Sequence, residues 1–418
     1  GNGDVGAALD YLQRSTVGPA LGDRFMALEG KGAATFEARL WLPVKQLEDR
    51  RIDVTARLAN AQVGQRGQPQ KVTALNGPLQ VLDRAVVSPG LQGRFLGGPV
   101  SIAMAAETDA TAGTTATVLT ANGRALVGPL KEFLGAPEIV RLNGGAAWRM
   151  RARFVPPPAR RPDAAQLASR SSPATSMTQL YVIDSDLQGL GIALPEPAQK
   201  PAPATRPLHV EVELGGGPDL TIRGSLGELR TVARLKRSNG AWSFDRAGIR
   251  GDGVAASIPG HEGVRIEGDV DRFVLDDWLA LRGNRAAAGP GARRLSDYLK
   301  AANVRIGTFG LFGYAWSDVR GLLQATPAGW QIDVAGPSAT GKLLVPYDLA
   351  GTAPMTLEME RLVLASQGGG AGGPSTTDPR QVPPIQARIN DFELGGRKLG
   401  SVRAQIDRAP RGLDFTDV

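Results

Sequence analysis

Apolar and polar residues alternate one by one along most of the chain. In "RIDVTARLANAQV", Ile52, Val54, Ala56 and Leu58 fall on one side, and Asp53, Thr55 and Arg57 on the other. "LHVEVEL" sets Leu208, Val210, Val212 and Leu214 against His209, Glu211 and Glu213. "DLTIRG", "GWQIDVAG" and "MTLEMERLVL" follow the same rule. Strand side chains alternate with period two, so this pattern predicts antiparallel sheet with one apolar and one wetted face. Helical spacing is confined to four short stretches: "VGAALDYLQRS" near the start, "VGPLKEFLG" (127–135), "LDDWLALRG" (275–283) and "RRLSDYLKAA" (293–302). In the third, Asp276 is placed to cap the turn that begins at Asp277 and Trp278. Pro- and Gly-rich breaks fall at 155–164, 195–207 and 366–384, and strand alternation resumes after each. They read as long loops of a continuous sheet: an N-terminal segment 1–155, Pro-rich loops with intervening strands 156–207, and a repetitive segment 208–418.

The repetition is visible in the letters. "RIGTFGLFGYAWSDVRGLL" from Arg305 and "RINDFELGGRKLGSVRAQI" from Arg388 carry one apolar pattern. A shift of 83 residues maps Ile306 on Ile389, Phe309 on Phe392, Leu311 on Leu394, Trp316 on Leu399, Val319 on Val402 and Leu323 on Ile406. It then maps Gly329 on Gly412, Trp330 on Leu413 and Ile332 on Phe415. "VDRFVL" (270–275) and "MERLVL" (359–364) repeat a shorter piece, and "GAWSF" (240–244) echoes "AGWQI" (328–332). Such units suggest a modular, extended sheet. The three-residue step from Ile306 to Phe309 would put them on opposite faces of a plain strand; a bulge returns both to one face and curls the sheet. The second copy stops at Val418 where the first runs on, which reads as a chain cut in mid-repeat.

Composition narrows the chemistry. The 418 residues are 42% hydrophobic and 21% charged, with 54 Gly and 30 Pro, which suits many short strands joined by turns. The net charge of +7 is spread among acids, with no basic run carrying interleaved aromatics, so nucleic acid is not an expected partner. Without Cys there are no disulfides and no thiolate chemistry. No apolar run reaches the ~18 residues of a spanning helix, and the opening lacks the form of a signal peptide. "GPSATGKL" (336–343) has phosphate-loop spacing, but Leu343 replaces the Ser or Thr and "LLVP" follows instead of a helix. "GNGDVG" (1–6) spells a dinucleotide fingerprint with no preceding strand. Only two His exist, His209 on a polar strand face and His261 in a turn, too few for a triad or a zinc site. The carboxylate pairs Asp276 with Asp277 and Asp184 with Asp186 read as turns or helix starts. The expectation is no enzyme, no cofactor and no metal.

Three stretches carry a family likeness: 181–214, "GDVDRFVLDDWLAL" (268–281) and "PPIQARINDFELGGRKLGSVRAQIDRAPRGLDF" (383–415). With "LDYLQRSTVGPALGDRF" (9–25), "FEARLWLPV" (36–44) and "FLGGPVSI" (95–102), they resemble the C-terminal half of YhdP-type proteins of the AsmA-like superfamily. The resemblance implies a bridge-like lipid-transfer protein. Its fold would be mainly β: an elongated, curled antiparallel sheet built from repeats, with a few short helices and a hydrophobic groove. It further implies the periplasm of a Gram-negative bacterium, an N-terminal inner-membrane anchor outside this sequence, and phospholipid as the partner moving between inner and outer membrane. From alternation alone, Phe309, Leu311, Trp330, Ile332, Phe392 and Leu394 are core residues. The resemblance turns them into groove lining, together with Val54, Leu58, Leu208, Val210, Val212, Leu214, Phe273, Leu275, Leu357, Met359 and Phe415. Two rivals stay open: an envelope binding or adhesion module for glycan or protein, and a hydrolase acting on envelope polysaccharide.

Overall fold

A computed structural model describes residues 1–14, 27–41, 51–67, 70–82, 85–109, 114–134, 141–154, 179–214, 219–238, 241–281, 295–348, 351–365, 384–409 and 412–416. The chain falls into two units. The first is Gly1–Ile192 with Lys200–Gly227 and Leu235–Ser243; the second is Ala193–Gln199 with Glu228–Arg234 and Phe244–Val418. Both are built of strands, as the alternation predicts.

The first unit opens with β1 (Asn2–Asp4) and helix α1 (Val5–Arg14). It continues as β2 (Leu28–Trp41), β3 (Arg51–Gln65), β4 (Lys71–Leu82), β5 (Ala85–Phe95), β6 (Gly97–Asp109) and β7 (Thr114–Leu126). Helix α2 (Val127–Leu134), β8 (Leu142–Phe154), β9 (Gln179–Ser185), β10 (Leu190–Ile192), β11 (Leu208–Leu214) and β12 (Asp219–Leu226) follow. Neighbours from β1 to β9 pair antiparallel; β9 then pairs β11, β11 pairs β12, and β10 pairs the start of β8. Val5 of α1 packs on Ala34, Leu58, Ala61, Leu75 and Leu91, with Leu9 beside it.

Asp4 fixes the start of α1. Its carboxylate accepts the N–H groups of Gly6 at 2.8 Å, Ala7 at 3.2 Å and, from β2, Gly32 at 2.9 Å. The bond from Gly32, then that from Ala7, holds its pKa below the ordinary carboxylate value. A depressed pKa stabilises the fold above the unfolded-state value, and that contribution is lost as pH falls through the folded one. The stability difference between the protein and Asp4→Asn is therefore expected to shrink on acidification below the ordinary Asp range, read by urea melts at stepped pH.

Register shifts interrupt β2–β3 at Lys31/Ala33, β3–β4 at Leu58/Ala61 and β5–β6 at Ser88/Leu91. Extra residues at such points bend and twist the strands. Glycine makes the close approach possible: at Gly77, with φ 134°, a Cβ would lie 2.6 Å from the Gly90 carbonyl oxygen. Gly77→Ala is expected to cost about 1–3 kcal/mol, seen as a lower urea midpoint at unchanged slope.

The second unit holds β15 (Gly263–Val274), helix α3 (Leu275–Ala280), helix α4 (Leu295–Tyr298), β16 (Leu299–Leu311), β17 (Tyr314–Thr326), β18 (Gly329–Ala335) and β19 (Ala339–Val345). It continues with β20 (Met355–Leu364), β21 (Ile385–Leu394), β22 (Arg397–Ala409) and β23 (Gly412–Thr416); β13 (Leu229–Ser238) and β14 (Ala241–Arg250) carry residues of both units. Most pairs are antiparallel, but β14–β15, β15–β16 and β20–β21 are parallel. The described pairings close neither unit into a barrel.

The repeat seen in the letters is a repeat of structure. β17 and β22 begin and end 83 residues apart, β18 and β23 both open on a glycine, and β16 and β21 both end on a leucine. The shorter echo is the strand that leads each copy. Val270 and Phe273 lie beside Ile306 and Phe309, as Met359 and Leu362 lie beside Ile389 and Phe392. The expected bulge occurs in the second copy, as a register shift between Ile389 and Phe392. The first copy takes the three-residue step on three strands at once. Asp271, Gly307 and Asp318 drop out of the ladder with no residue gained on any strand, and Asp318 takes a left-handed φ of 51°. One helix expectation needs correction. Among the described residues 295–302, Leu295–Tyr298 is helical, and Leu299 onward is strand because it pairs with β15 and β17.

Candidate functional site

One face of the second unit is apolar from strand to strand. Trp316, Val319, Ala339, Met359 and Ile389 form its buried line, and Phe309, Leu311, Leu343, Leu357, Leu362 and Phe392 pack against them half-buried. Cross-strand register extends the line: Ile332 lies opposite Leu343, which lies opposite Leu357, and Trp330 lies opposite Val345. Antiparallel partners share a face, so these positions form one continuous surface. The other side is charged. The row Asp269–Arg305–Arg320 recurs as Glu358–Arg388–Arg403 in the second copy. Arg305 Nε lies 2.6 Å from Asp318, and Arg361 lies 2.8 Å from Asp391. The arginine beside it lowers the pKa of Asp318.

Beside the buried line, the large side chains of this apolar face stay half-buried. A sheet usually hides such a face under a second layer, with many large side chains completely enclosed. Among the described residues no large apolar side chain is fully buried; only alanines reach 2% exposure or less, such as Ala61 at 0% and Ala152 at 1%.

Helix α3 and its neighbours set the edge of this face. Phe273 stacks between Phe309 (6.5 Å) and Trp278 of α3 (6.1 Å). Trp278 Nε1 donates to the Glu196 carbonyl at 3.0 Å, and Trp316 Nε1 to the Val363 carbonyl at 3.0 Å. Asp276 does not cap α3 as the sequence suggested. Its Oδ2 accepts the N–H of Gly313, in the β16–β17 turn, at 3.4 Å, because that turn ends beside the start of the helix.

The predicted lining residues fall as follows. Phe309, Leu311, Leu357, Met359 and Phe392 belong to the second-unit cluster, and Trp330 and Ile332 continue its face. Phe273 of β15 stacks on Phe309, and Leu275 opens α3. Leu394 ends β21 and is 42% exposed. The side chain of Phe415 lies outside the described residues. In the first unit Leu58 packs under α1, while Val54 is half-buried on the same face of β3. Leu208, Val210, Val212 and Leu214 are all half-buried along β11, with Val210 and Val212 beside Ile183 and Tyr181 of β9.

The remaining motifs are structural. "GPSATGKL" forms the β18–β19 turn and β19 itself. His209 lies on the polar face, with Nδ1 2.7 Å from Asp184 and Nε2 3.3 Å from Glu211. The hydrogen bond to Asp184, then that to Glu211, raises its pKa. A raised pKa stabilises the fold below the unfolded-state value, and that contribution is lost as pH rises through the folded one. The stability advantage of the protein over His209→Gln should accordingly fall as pH climbs above the ordinary His range, measured by thermal melts.

The whole chain, residues 1–418, matches the YhdP protein family. The chain belongs to the YhdP family. Comparison with curated proteins and with solved structures returns no match. Among the described residues of this YhdP chain, no helix is long and apolar enough to cross a membrane.

The predicted lining omitted several members of the YhdP face: Trp278, Tyr314, Leu343, Leu362 and Leu364, and also Trp316, which the repeat had placed in its apolar pattern. The signal for Leu362 and Leu364 was present: "MERLVL" echoes "VDRFVL", and each leads a copy of the repeat. Trp278 carried no such signal, because its role follows from where α3 ends on the sheet.

Proposed function

We propose that this chain is a non-catalytic segment of a periplasmic lipid conduit, guiding phospholipid acyl chains between inner and outer membrane. Membership of the YhdP family and the large one-sided sheet fit a lipid-transport family. The observation that carries the reading is the apolar face on which Phe309, Leu311, Leu343, Leu357, Leu362 and Phe392 stay half-buried beside the buried line. Each CH₂ moved from water onto such a face contributes about 0.8 kcal/mol, so an acyl chain is held strongly without any directional contact. Because neighbouring strands repeat the same surface, a chain can pass between equivalent positions while its head group remains in water. In the second unit the proposed lining is Phe309, Leu311, Trp330, Ile332, Leu357, Met359 and Phe392, with Leu343, Leu362 and Trp316 added. The natural protein's membrane anchor and its location in the periplasm belong to this proposal.

The test is lipid extraction and native mass spectrometry of the protein purified from a bacterial host. Stoichiometric phospholipid is the expected result. A folded protein that carries none, and takes none from phospholipid vesicles, would reject the reading.

A further inference from the structure

Three hairpins close on the same two-residue turn, with both turn residues in the left-handed region. They are Leu96–Gly97 (φ 49° and 79°) between β5 and β6, Phe312–Gly313 (52° and 77°) between β16 and β17, and Gly395–Gly396 (57° and 79°) between β21 and β22. Residues other than Gly, Asn and Asp are disfavoured there, because the Cβ crowds the following carbonyl. Leu96 offsets the strain by burial, at 7% exposure, and so does Leu187, another large apolar residue with a left-handed φ. Phe312 stays 38% exposed. The second copy of the repeat has Gly395 at this position, so the turn itself has no need of the ring. Strain kept without full burial points to a contact made outside the chain.

Strand directions bring the two repeat turns to one rim. From β16 to β20 each strand reverses the one before it, and β21 is parallel to β20, so β16 and β21 run the same way. Both turns therefore lie at the same end of the second unit's strands, five strand spacings or about 24 Å apart. Their charges are opposite. Asp276 Oδ2 accepts the Gly313 N–H at 3.4 Å, and Asp277 beside it is exposed. The second turn leads into exposed Arg397 and Lys398, with Glu393 facing Lys398 across the ladder, which leaves the turn net positive. Each turn also presents apolar surface, Phe312 at the first and Leu394 and Leu399 at the second.

We infer that these turns pair two copies of this chain, the Phe312 turn of each seated on the Leu394–Leu399 turn of the other. One two-fold axis makes both contacts at once, so the assembly closes as a dimer and does not grow into a filament. In each contact the ring of Phe312 lies against Leu394 and Leu399, and Asp277 faces Arg397 and Lys398. A single contact of this size is small, and the dimer holds because the first contact raises the effective concentration of the second. The pairing uses none of the second-unit lining and stands apart from the conduit reading.

Sedimentation velocity of the whole chain should show a dimer that grows with protein concentration and recedes with added salt. Phe312→Gly, which installs the second copy's own residue, should leave a monomer with no loss in urea midpoint. Asp277→Lys and Lys398→Asp should each weaken the dimer several-fold. An equimolar mixture of these two variants should associate better than either alone, since one contact then carries exchanged charges and the other is unaltered. For the contact itself, a photoreactive phenylalanine analogue at position 312 is illuminated in a mixture with isotope-labelled, unsubstituted protein. Adducts on the labelled peptide that spans 394–399 are the expected result. A monomer at every concentration, a dimer indifferent to Phe312→Gly, or adducts on another peptide or on lipid would overturn the pairing and leave the conduit reading untouched.

Discussion

Changing Ile332 and Leu357 together to Asp is expected to strip the protein of co-purifying phospholipid, by about tenfold or more, while leaving it folded. Both side chains are half-buried on the apolar face of the second unit, in line through Leu343. Their partial exposure is what makes the test informative. A carboxylate at a fully enclosed position would unfold the sheet; at these positions it keeps contact with water in the empty protein. A bound acyl chain would remove that water, and lost affinity of about 1.4 kcal/mol is already a tenfold change. The far-UV spectrum and melting curve of the variant check the fold, and lipid per protein, by extraction, checks the effect. The matching change on the polar face, Gln331→Asp, should leave bound lipid unchanged.

The largest expected effect on stability is that of Trp316→Ala. Trp316 is 9% exposed, packs beside Phe309 and Tyr314, and gives its indole N–H to the carbonyl of Val363 in β20. It therefore ties the hairpin of one repeat copy to the leading strand of the next. Truncation removes a large buried aromatic side chain and leaves the Val363 carbonyl unpaired, a loss of about 3–5 kcal/mol. The corresponding Leu399→Ala should cost far less, since Leu399 is 52% exposed. Denaturant melts of the two variants compare one repeat position in its two environments.

Much of this architecture was legible in the letters, and the reasons differ from part to part. The 83-residue shift was readable because each copy spends its glycines on turns and its apolar residues on one face, so Gly329 and Gly412 open equivalent strands. The apolar face was readable wherever period two held. Parallel pairing at β15–β16 and β20–β21 was not, because alternation gives a strand's faces and says nothing of its partner's direction. Nor was the first copy's version of the three-residue step. A bulge on one strand and a column dropped from three strands leave the same pattern in any single strand. Trp316 was readable as apolar, but its hydrogen bond to Val363 spans 47 residues and follows only from the assembled sheet. Asp276 looked like a helix cap by local rule and instead holds the Gly313 turn, a partner 37 residues away.

Central to this account is that one face of the sheet touches lipid and the other does not. Adjacent residues of β19 separate the two directly: Leu343 is half-buried on the apolar face, and Lys342 is exposed on the charged one. A photoreactive amino acid would be placed at each position in turn, the protein illuminated in the bacterial envelope, and adducts identified by mass spectrometry. Phospholipid adducts at 343 and none at 342 are the predicted result. Adducts at both positions alike, or at neither in a protein that remains folded, would contradict it.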